Sequence, residues 1–278
     1  VRYITSREHS LFKKLFKLQH SARRRHDEGV ALLDGIHLLQ SCLASGKTPV
    51  LLIVSESGSQ HPEISQLLIH TDKNLQKTDC LMLSDTLFNQ ISPVKTPVGI
   101  LALIDIPRHT LSTDITYQNS FSILLEGIQD PGNLGSMLRS AAAAGVEDIF
   151  LSSDCADAWS PKTLRAGMGA HFSLRIHEHV DLIQVARQFA GNIVATTLYD
   201  AGNLYRTDLR GAVMFVFGNE GGGISEALLK TVHQRVMIPM PGCAESLNVA
   251  AAAAICLFEK VRQDTCAGNS HQNSVGSR

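Results

Sequence analysis

Three stretches in the second half of the chain place polar side chains and glycines where an apolar, strand-like run gives way to a helix. They are Asp130 to Arg139 (DPGNLGSMLR), Phe217 to Gly223 (FGNEGGG) and Ile238 to Asn248 (IPMPGCAESLN). Loops at the carboxyl ends of parallel strands are where open α/β sheets bind ligands, so the three together mark one expected site. In the first, an Asp130-Pro131-Gly132 turn precedes Asn133, the expected helix N-cap. Leu134, Met137, Leu138, Ala141, Ala142 and Gly145 then recur at i, i+3, i+4, i+7, i+8 and i+11, a single apolar stripe. At roughly 100° per residue, Arg139 falls about 130° from the centre of that stripe. Its guanidinium therefore leaves the core, free to meet a ligand as a cation that stays protonated.

Other chemistries fit less well. Gly46-Lys47-Thr48 resembles the end of a phosphate-binding loop, but Ser41 stands where that loop requires glycine. Gly218 to Gly223 reads GNEGGG and not GxGxxG, which weakens a nicotinamide reading. His177-Glu178-His179 would point two imidazoles to one side of a strand with no third ligand, so it reads as a surface pair and no metal is expected. No serine stands in GxSxG, and no HExxH occurs. The six cysteines (Cys42, Cys80, Cys155, Cys243, Cys256, Cys266) are dispersed without a CxxC and read as reduced, mostly buried thiols.

The elements that must position these residues follow from length and pattern. At about 150 residues per domain, 278 residues predict two domains, each able to bury its own core. Residues 1–105 carry short β-rich runs (VALL, VLLIVS, CLMLS, VGILALI) between helical spacings such as His37 to Leu43 and Glu63 to Ile69, a small α/β unit. Residues 106–120 lose periodicity and read as a linker. Residues 121–263 alternate strand-like runs (FSILLEG, EDIFLS, NIVATTL, AVMFVFG, RVMIPM) with helical stretches, the pattern of a largely parallel, doubly wound sheet. A last helix from about Leu247 to Val261 is apolar on nearly all sides and needs a covering partner. Residues 264–278 read as a frayed tail.

The longest apolar run, Val249 to Phe258, is ten residues against the roughly 20 of a bilayer span. With no apolar signal core near its start, the chain reads as a cytoplasmic protein. The net charge of −1 hides an asymmetry: residues 1–30 hold eight Lys/Arg against Glu8, Asp27 and Glu28, a net of +5. The remainder carries 17 basic against 23 acidic residues, a net of −6. Clustered cations suit a polyanionic partner, with a solvated helix face as the alternative, and Arg23, Arg24 and Arg25 are the residues expected to meet such a partner.

In order, DPGNLGSMLRSAAAAG, FVFGNEGGGIS and VMIPMPGCAESLNVAAAAA resemble the three signature motifs of the SpoU/TrmH branch of the SPOUT methyltransferases. Such enzymes transfer a methyl group from S-adenosylmethionine to a ribose 2′-hydroxyl of RNA. VALLDGIHLLQSCLASG is similar to the opening of the L30e-like RNA-binding domain many members carry, with Asp34-Gly35 where Glu-Gly is usual. The third motif has Ala250 where a serine is common. The resemblance implies a Rossmann-like parallel sheet with a C-terminal trefoil knot, preceded by a small L30e-like α/β domain, and a homodimer whose RNA site is completed across the interface. It implies S-adenosylmethionine as cofactor, held by Thr196, Thr197, Gly218, Asn219, Ile238, Met240 and Leu247, with glycine at 218 so that ligand can approach backbone. It also implies an active-site set of Asn133, Arg139, Glu220, Ser246 and Asn248, in which Ser246 doubles as a helix N-cap. Arg139 is expected as a fixed cation, and Glu220 as proton acceptor or loop brace. The expected substrate is ribosomal RNA. Transfer RNA, a non-catalytic RNA-binding role on the same fold and a nicotinamide enzyme are the alternatives.

Overall fold

A computed structural model describes residues 2–70, 78–109 and 121–272. It divides into two compact units, Val1–Arg108 with Asp157–Phe172, and His109–Ala156 with Ser173–Arg278. Residues 157–172, which the sequence reading places in the second domain, thus group with the first. Residues 110–120, most of the expected linker, lie outside the described residues.

In the first unit the elements run β1 (Arg2–Ile4), α1 (Ser10–His20), α2 (Ala22–Glu28), β2 (Val30–Asp34), α3 (Ile36–Ala44), β3 (Leu51–Ser55), α4 (Pro62–His70), β4 (Asp79–Leu83), α5 (Asp85–Ile91) and β5 (Ile100–Asp105). The sheet order is β1-β4-β3-β5-β2, with β5 antiparallel to both neighbours. Phe12, Leu15 and Leu18 turn one face of α1 into this core, leaving Lys13, Lys14 and Lys17 outside. Gly29, at φ 65, ends α2 in the left-handed cap that glycine favours.

One expected RNA contact is corrected here. Arg25 is only 4% exposed: its Nε donates to Asp157 Oδ2 at 2.9 Å, its Nη2 donates to the same oxygen, and its Nη1 donates to the Leu18 and Gln19 carbonyls. A buried guanidinium with a carboxylate and two carbonyl partners is a structural clamp. Arg23 and Arg24 remain exposed, Arg23 beside Asp27 at 3.5 Å.

The second unit holds β6 (Phe121–Leu125), α6 (Pro131–Ala144), β7 (Asp148–Leu151), β8 (Arg175–His177), α8 (Leu182–Gln188), β9 (Asn192–Thr196), β10 (Gly202–Asn203), β11 (Val213–Phe217), α9 (Glu226–Leu229), β12 (Gln234–Met237) and α10 (Val249–Gln272); α7 (Pro161–Gly167) belongs to the first unit. All seven strands are parallel, in the order β10-β12-β9-β11-β6-β7-β8. β11 is buried at every position, as a parallel strand covered on both faces must be.

Helix boundaries differ from the sequence expectation for a capping reason. Pro131 occupies the first turn of α6, and the cap is Asp130, whose Oδ1 accepts from Asn133 N at 2.9 Å; Asn133 is thereby inside the helix and its side-chain amide does not cap it. At α10 the cap is Asn248 and not Ser246: Asn248 Oδ1 accepts from Ala250 N (3.0 Å) and Ala251 N (3.3 Å). The helix continues through Gln272, well into the stretch from 264 expected to fray; residues 273–278 lie outside the described set. His177 is not part of a surface pair: it is buried, stacked on Phe150 and bonded through Nε2 to Asp148 Oδ1 at 3.0 Å. Burial pushes the Asp148 carboxyl up, but bonds from His177 and Arg175 outweigh it and hold the group below its usual range. None of the six cysteines is in a disulfide; Cys42 and Cys256 are buried, whereas Cys243 and Cys266 are exposed.

Candidate functional site

In the seven-stranded sheet the chain leaves β6 toward β7 and β8 on one side, while β11 and β9 lie on the other. The crevice between β6 and β11 is therefore the topological switch point, where the outgoing loops diverge and leave room for a ligand. Leu125 and Phe217 are register partners, so the two strands end level, and Glu126 N donates to Phe217 O at 3.0 Å. Their loops, 126–130 and 218–225, face each other across that end.

Side chains join these loops to the third. Asn133 Nδ2 donates to Glu220 Oε1 at 2.9 Å, and Asn248 Nδ2 donates to Asn133 Oδ1 at 2.9 Å. The direction of this chain is fixed by the α10 cap. Asn248 Oδ1 already accepts two backbone N–H groups, so only its NH2 can face Asn133, which must answer with oxygen and turn its own NH2 to Glu220. Three residues expected in the active site, far apart in sequence, are thus linked by two hydrogen bonds.

The glycine loop is built around Asn219. Its Nδ2 donates to Gly127 O at 2.7 Å, its Oδ1 accepts from Gly221 N and Gly222 N at 2.9 Å each, and its backbone exchanges two bonds with Gly223. Asn219, expected beside the cofactor, braces the loop with both ends of its amide. Gly218 is needed for a different reason than expected: a Cβ there would lie 2.3 Å from Gly223 C and O and 2.5 Å from Ile224 N. A side chain at 218 would break the loop itself, so Gly218→Val tests loop closure before it tests ligand approach.

Sequence reasoning missed Glu126. Its carboxylate accepts from Ser225 N and Ser225 Oγ, both at 2.7 Å, and Ser225 is the N-cap of α9. The only sequence signal was an acidic residue directly after an apolar strand. Cys155 braces the same region, its Sγ donating to Leu125 O at 3.2 Å and accepting from Ile128 N at 3.3 Å, and burial pushes its thiol up, away from reactivity.

Arg139 is exposed on α6, six residues and so about 9 Å of helix beyond Asn133. It makes no hydrogen bond or ion pair among the described residues, as the helix arithmetic expects of a group free for ligand. Ser246 is likewise exposed and unbonded among them. Thr196 ends β9 and Thr197 follows it: Thr196 Oγ1 donates to Val216 O at 3.3 Å and Thr197 N to Val236 O at 3.0 Å. Ile238 and Met240 are half-buried and Leu247 is exposed. Between Pro239 and Leu247 no backbone N–H or C=O enters a hydrogen bond among the described residues. That strip of open donors and acceptors, beside apolar Ile238, Met240 and Leu247, suits a ligand with a flat apolar face and a hydrogen-bonding edge, as an adenosyl group has.

Comparison with known proteins shows the family. Residues 120–258 match the SpoU rRNA Methylase family and residues 10–102 the MRM3-like substrate binding domain. An uncharacterized tRNA/rRNA methyltransferase of Synechocystis is 32% identical, with 95% of each chain covered. The 23S rRNA (guanosine(2553)-2′-O)-methyltransferase RlmP of Bacillus subtilis is 30% identical over 88% of this chain and 94% of its own. Among solved structures, an AdoMet-bound rRNA methyltransferase from Sinorhizobium meliloti has a TM-score of 0.81 at 26% identity, covering 94% of this chain and 97% of that one.

Proposed function

We infer that this chain, which belongs to the SpoU rRNA methylase family, transfers a methyl group from S-adenosylmethionine to a ribose 2′-hydroxyl of ribosomal RNA. The observation that carries the reading is the Asn248–Asn133–Glu220 chain, which ties three loops together at the switch point of an all-parallel sheet. S-adenosylmethionine supplies an activated methyl on a sulfonium, so the protein has to position the acceptor oxygen and accommodate the charge that develops on it. The open backbone of 239–247, with Ile238, Met240, Leu247 and the end of β9 at Thr196 and Thr197, holds the adenosyl group. Arg139 stands as a fixed cation for the RNA phosphate or the developing alkoxide. Glu220, with Oε1 fixed by Asn133, keeps Oε2 without a partner among the described residues and able to accept the hydroxyl proton. Ser246 completes the set at the rim.

Incubating the protein with methyl-labelled cofactor and an unmodified 23S rRNA transcript, then digesting to nucleosides, tests the reading. A labelled 2′-O-methylnucleoside is expected. Label only on a base, or only with transfer RNA as acceptor, would overturn the substrate assignment.

Residues 1–105 serve as the substrate-binding domain, 106–120 as linker and 121–263 as the catalytic domain, whose C-terminal segment forms a trefoil knot that an experimental chain trace through residues 213–272 would test. Exposed Arg23 and Arg24, with Lys17, supply RNA affinity from the first domain. Changing all three to Ala should flatten the salt dependence of RNA binding, by about 0.7 log units per lost single-strand phosphate contact; an unchanged slope would remove them from the interface. The protein acts in the cytoplasm as a homodimer. Along α10, Ala251, Ile255 and Phe258 form an open apolar face at i, i+4 and i+7, with Phe258 47% exposed. Light scattering after size exclusion should show a dimer for the wild type and a monomer for Phe258→Glu. A dimer in both would place the interface elsewhere.

A further inference from the structure

Immediately beyond β9 the chain presents two large apolar side chains to water. Leu198 is 49% exposed and Tyr199 82%, the highest exposure of any large hydrophobic residue among those described. The loop that carries them is braced. Thr197 N donates to Val236 O at 3.0 Å, and Thr197 Oγ1 donates to Tyr199 O at 2.9 Å. Asp200 adopts a left-handed φ of 51, uncommon for a residue with a side chain, and its carboxylate meets Arg235 at 3.3 Å. Gly202 then pairs with Val236 in the sheet. Both ends of the loop are thus fastened to β12, in a conformation that holds an aromatic ring off the protein. The ring adds nothing to the core, in a chain with only four tyrosines.

Position gives the exposed ring a use. Thr196 ends β9 and Thr197 follows it beside the site proposed for the adenosyl group, and Tyr199 lies two residues beyond Thr197 at the carboxyl edge of the same sheet. At 82% exposure it does not wall a pocket, so it is not part of the cofactor cradle. The second substrate of this site is a polynucleotide, and unstacked RNA bases are held on aromatic faces, a contact that every base offers.

We propose that Tyr199 is a stacking platform for a nucleobase of the RNA substrate next to the methylated nucleotide, a positioning residue whose backbone is held by the Thr197 and Asp200–Arg235 braces. The proposal rests on the reading of the site as an RNA 2′-O-methyltransferase. Leu198 supplies apolar contact beside the platform.

The test uses the full chain and an unmodified 23S rRNA transcript, with single-turnover methylation followed against RNA concentration. Tyr199→Ala should raise the RNA concentration for half-maximal rate by roughly tenfold or more, the scale of one lost base–aromatic stack. The affinity for S-adenosylmethionine by calorimetry and the thermal midpoint should not move. Tyr199→Phe and Tyr199→Trp should behave as wild type, whereas Tyr199→Leu, which keeps apolar bulk without a π face, should behave as the alanine variant. Filter binding to the same transcript gives the comparison without turnover. Equal RNA dependence for Tyr199→Ala and wild type would overturn the proposal, and so would full rescue by leucine. Weakened cofactor affinity with unchanged RNA dependence would place the ring over the adenosyl group instead. A wild-type protein that neither binds nor methylates RNA would remove the functional reading and this inference with it, an outcome distinct from an active enzyme indifferent to Tyr199.

Discussion

Arg139→Ala is expected to lower the single-turnover methylation rate by roughly 10²-fold or more, the scale seen when one preorganised electrostatic donor is removed. Fold and cofactor affinity should stay close to wild type. The side chain is exposed on α6 and holds no ion pair or hydrogen bond among the described residues, and alanine is the best helix former, so the change removes a charge and little else. Arg139→Lys should recover part of the rate, because the charge is kept while the planar fork is lost. A general-base role makes a different prediction. Lysine gives up its proton far more readily than guanidinium, so the lysine variant would then gain activity as pH rises through the lysine's own pKa. Single-turnover rates of wild type and both variants from neutral to alkaline pH separate the two roles. Near-wild-type turnover by Arg139→Ala would sink both, and with them the assignment of this helix face to the active site.

Arg139 was legible in the sequence because its placement depends on a local property, the 3.6-residue period of α6, and the buried set Leu134, Met137, Leu138 and Ala141 agrees with the stripe. The doubly wound sheet was legible for a similar reason: strands buried on both faces are continuous apolar runs, and β6, β7, β9 and β11 all lie inside runs read as strands. Where the reading failed, the deciding partner lay far along the chain. Arg25 sits in a basic run that looks like a phosphate-binding face, yet its carboxylate partner, Asp157, is 132 residues away. Glu126 has its partner, Ser225, 99 residues on. No local pattern encodes either pairing. The caps failed more subtly. Asp130 and Asn133 are both good N-cap residues, and the choice falls to Asp130 because Pro131, lacking an N–H and fixed in φ, is accommodated at the first helical position. Gly218 was recognised as an obligatory glycine, but the atoms that exclude a side chain belong to Gly223 and Ile224 of its own loop, visible only once the loop is closed.

Asn248→Asp should separate two functions of one side chain. In the wild type, Oδ1 caps α10 while Nδ2 donates to Asn133 Oδ1 at 2.9 Å. Aspartate keeps the cap, with its negative charge favourably placed at a helix N-terminus, so the thermal midpoint should hold or rise. The donor is lost, and a carboxylate oxygen then faces the Asn133 carbonyl oxygen. If Asn133 stays as it is, two acceptors confront each other. If its amide turns over to donate to the new carboxylate, its oxygen faces Glu220 Oε1 and the bond at 2.9 Å that orients Glu220 is broken. Either outcome cuts the chain joining the three loops. Losing one hydrogen bond to a charged group, in a site partly open to solvent, corresponds to about 1.5 kcal/mol, or a rate roughly tenfold lower. Asn248→Ala loses cap and donor together and should show the same loss of rate plus about 0.5–2 kcal/mol of destabilisation. Asn133→Ala removes the shared partner, so adding Asn248→Asp to it should cost little further rate if the two act through one network. An Asn248→Asp variant that methylates at the wild-type rate, or costs that add in full in the double variant, would show that the three loops are held in working register by something other than this pair of amides.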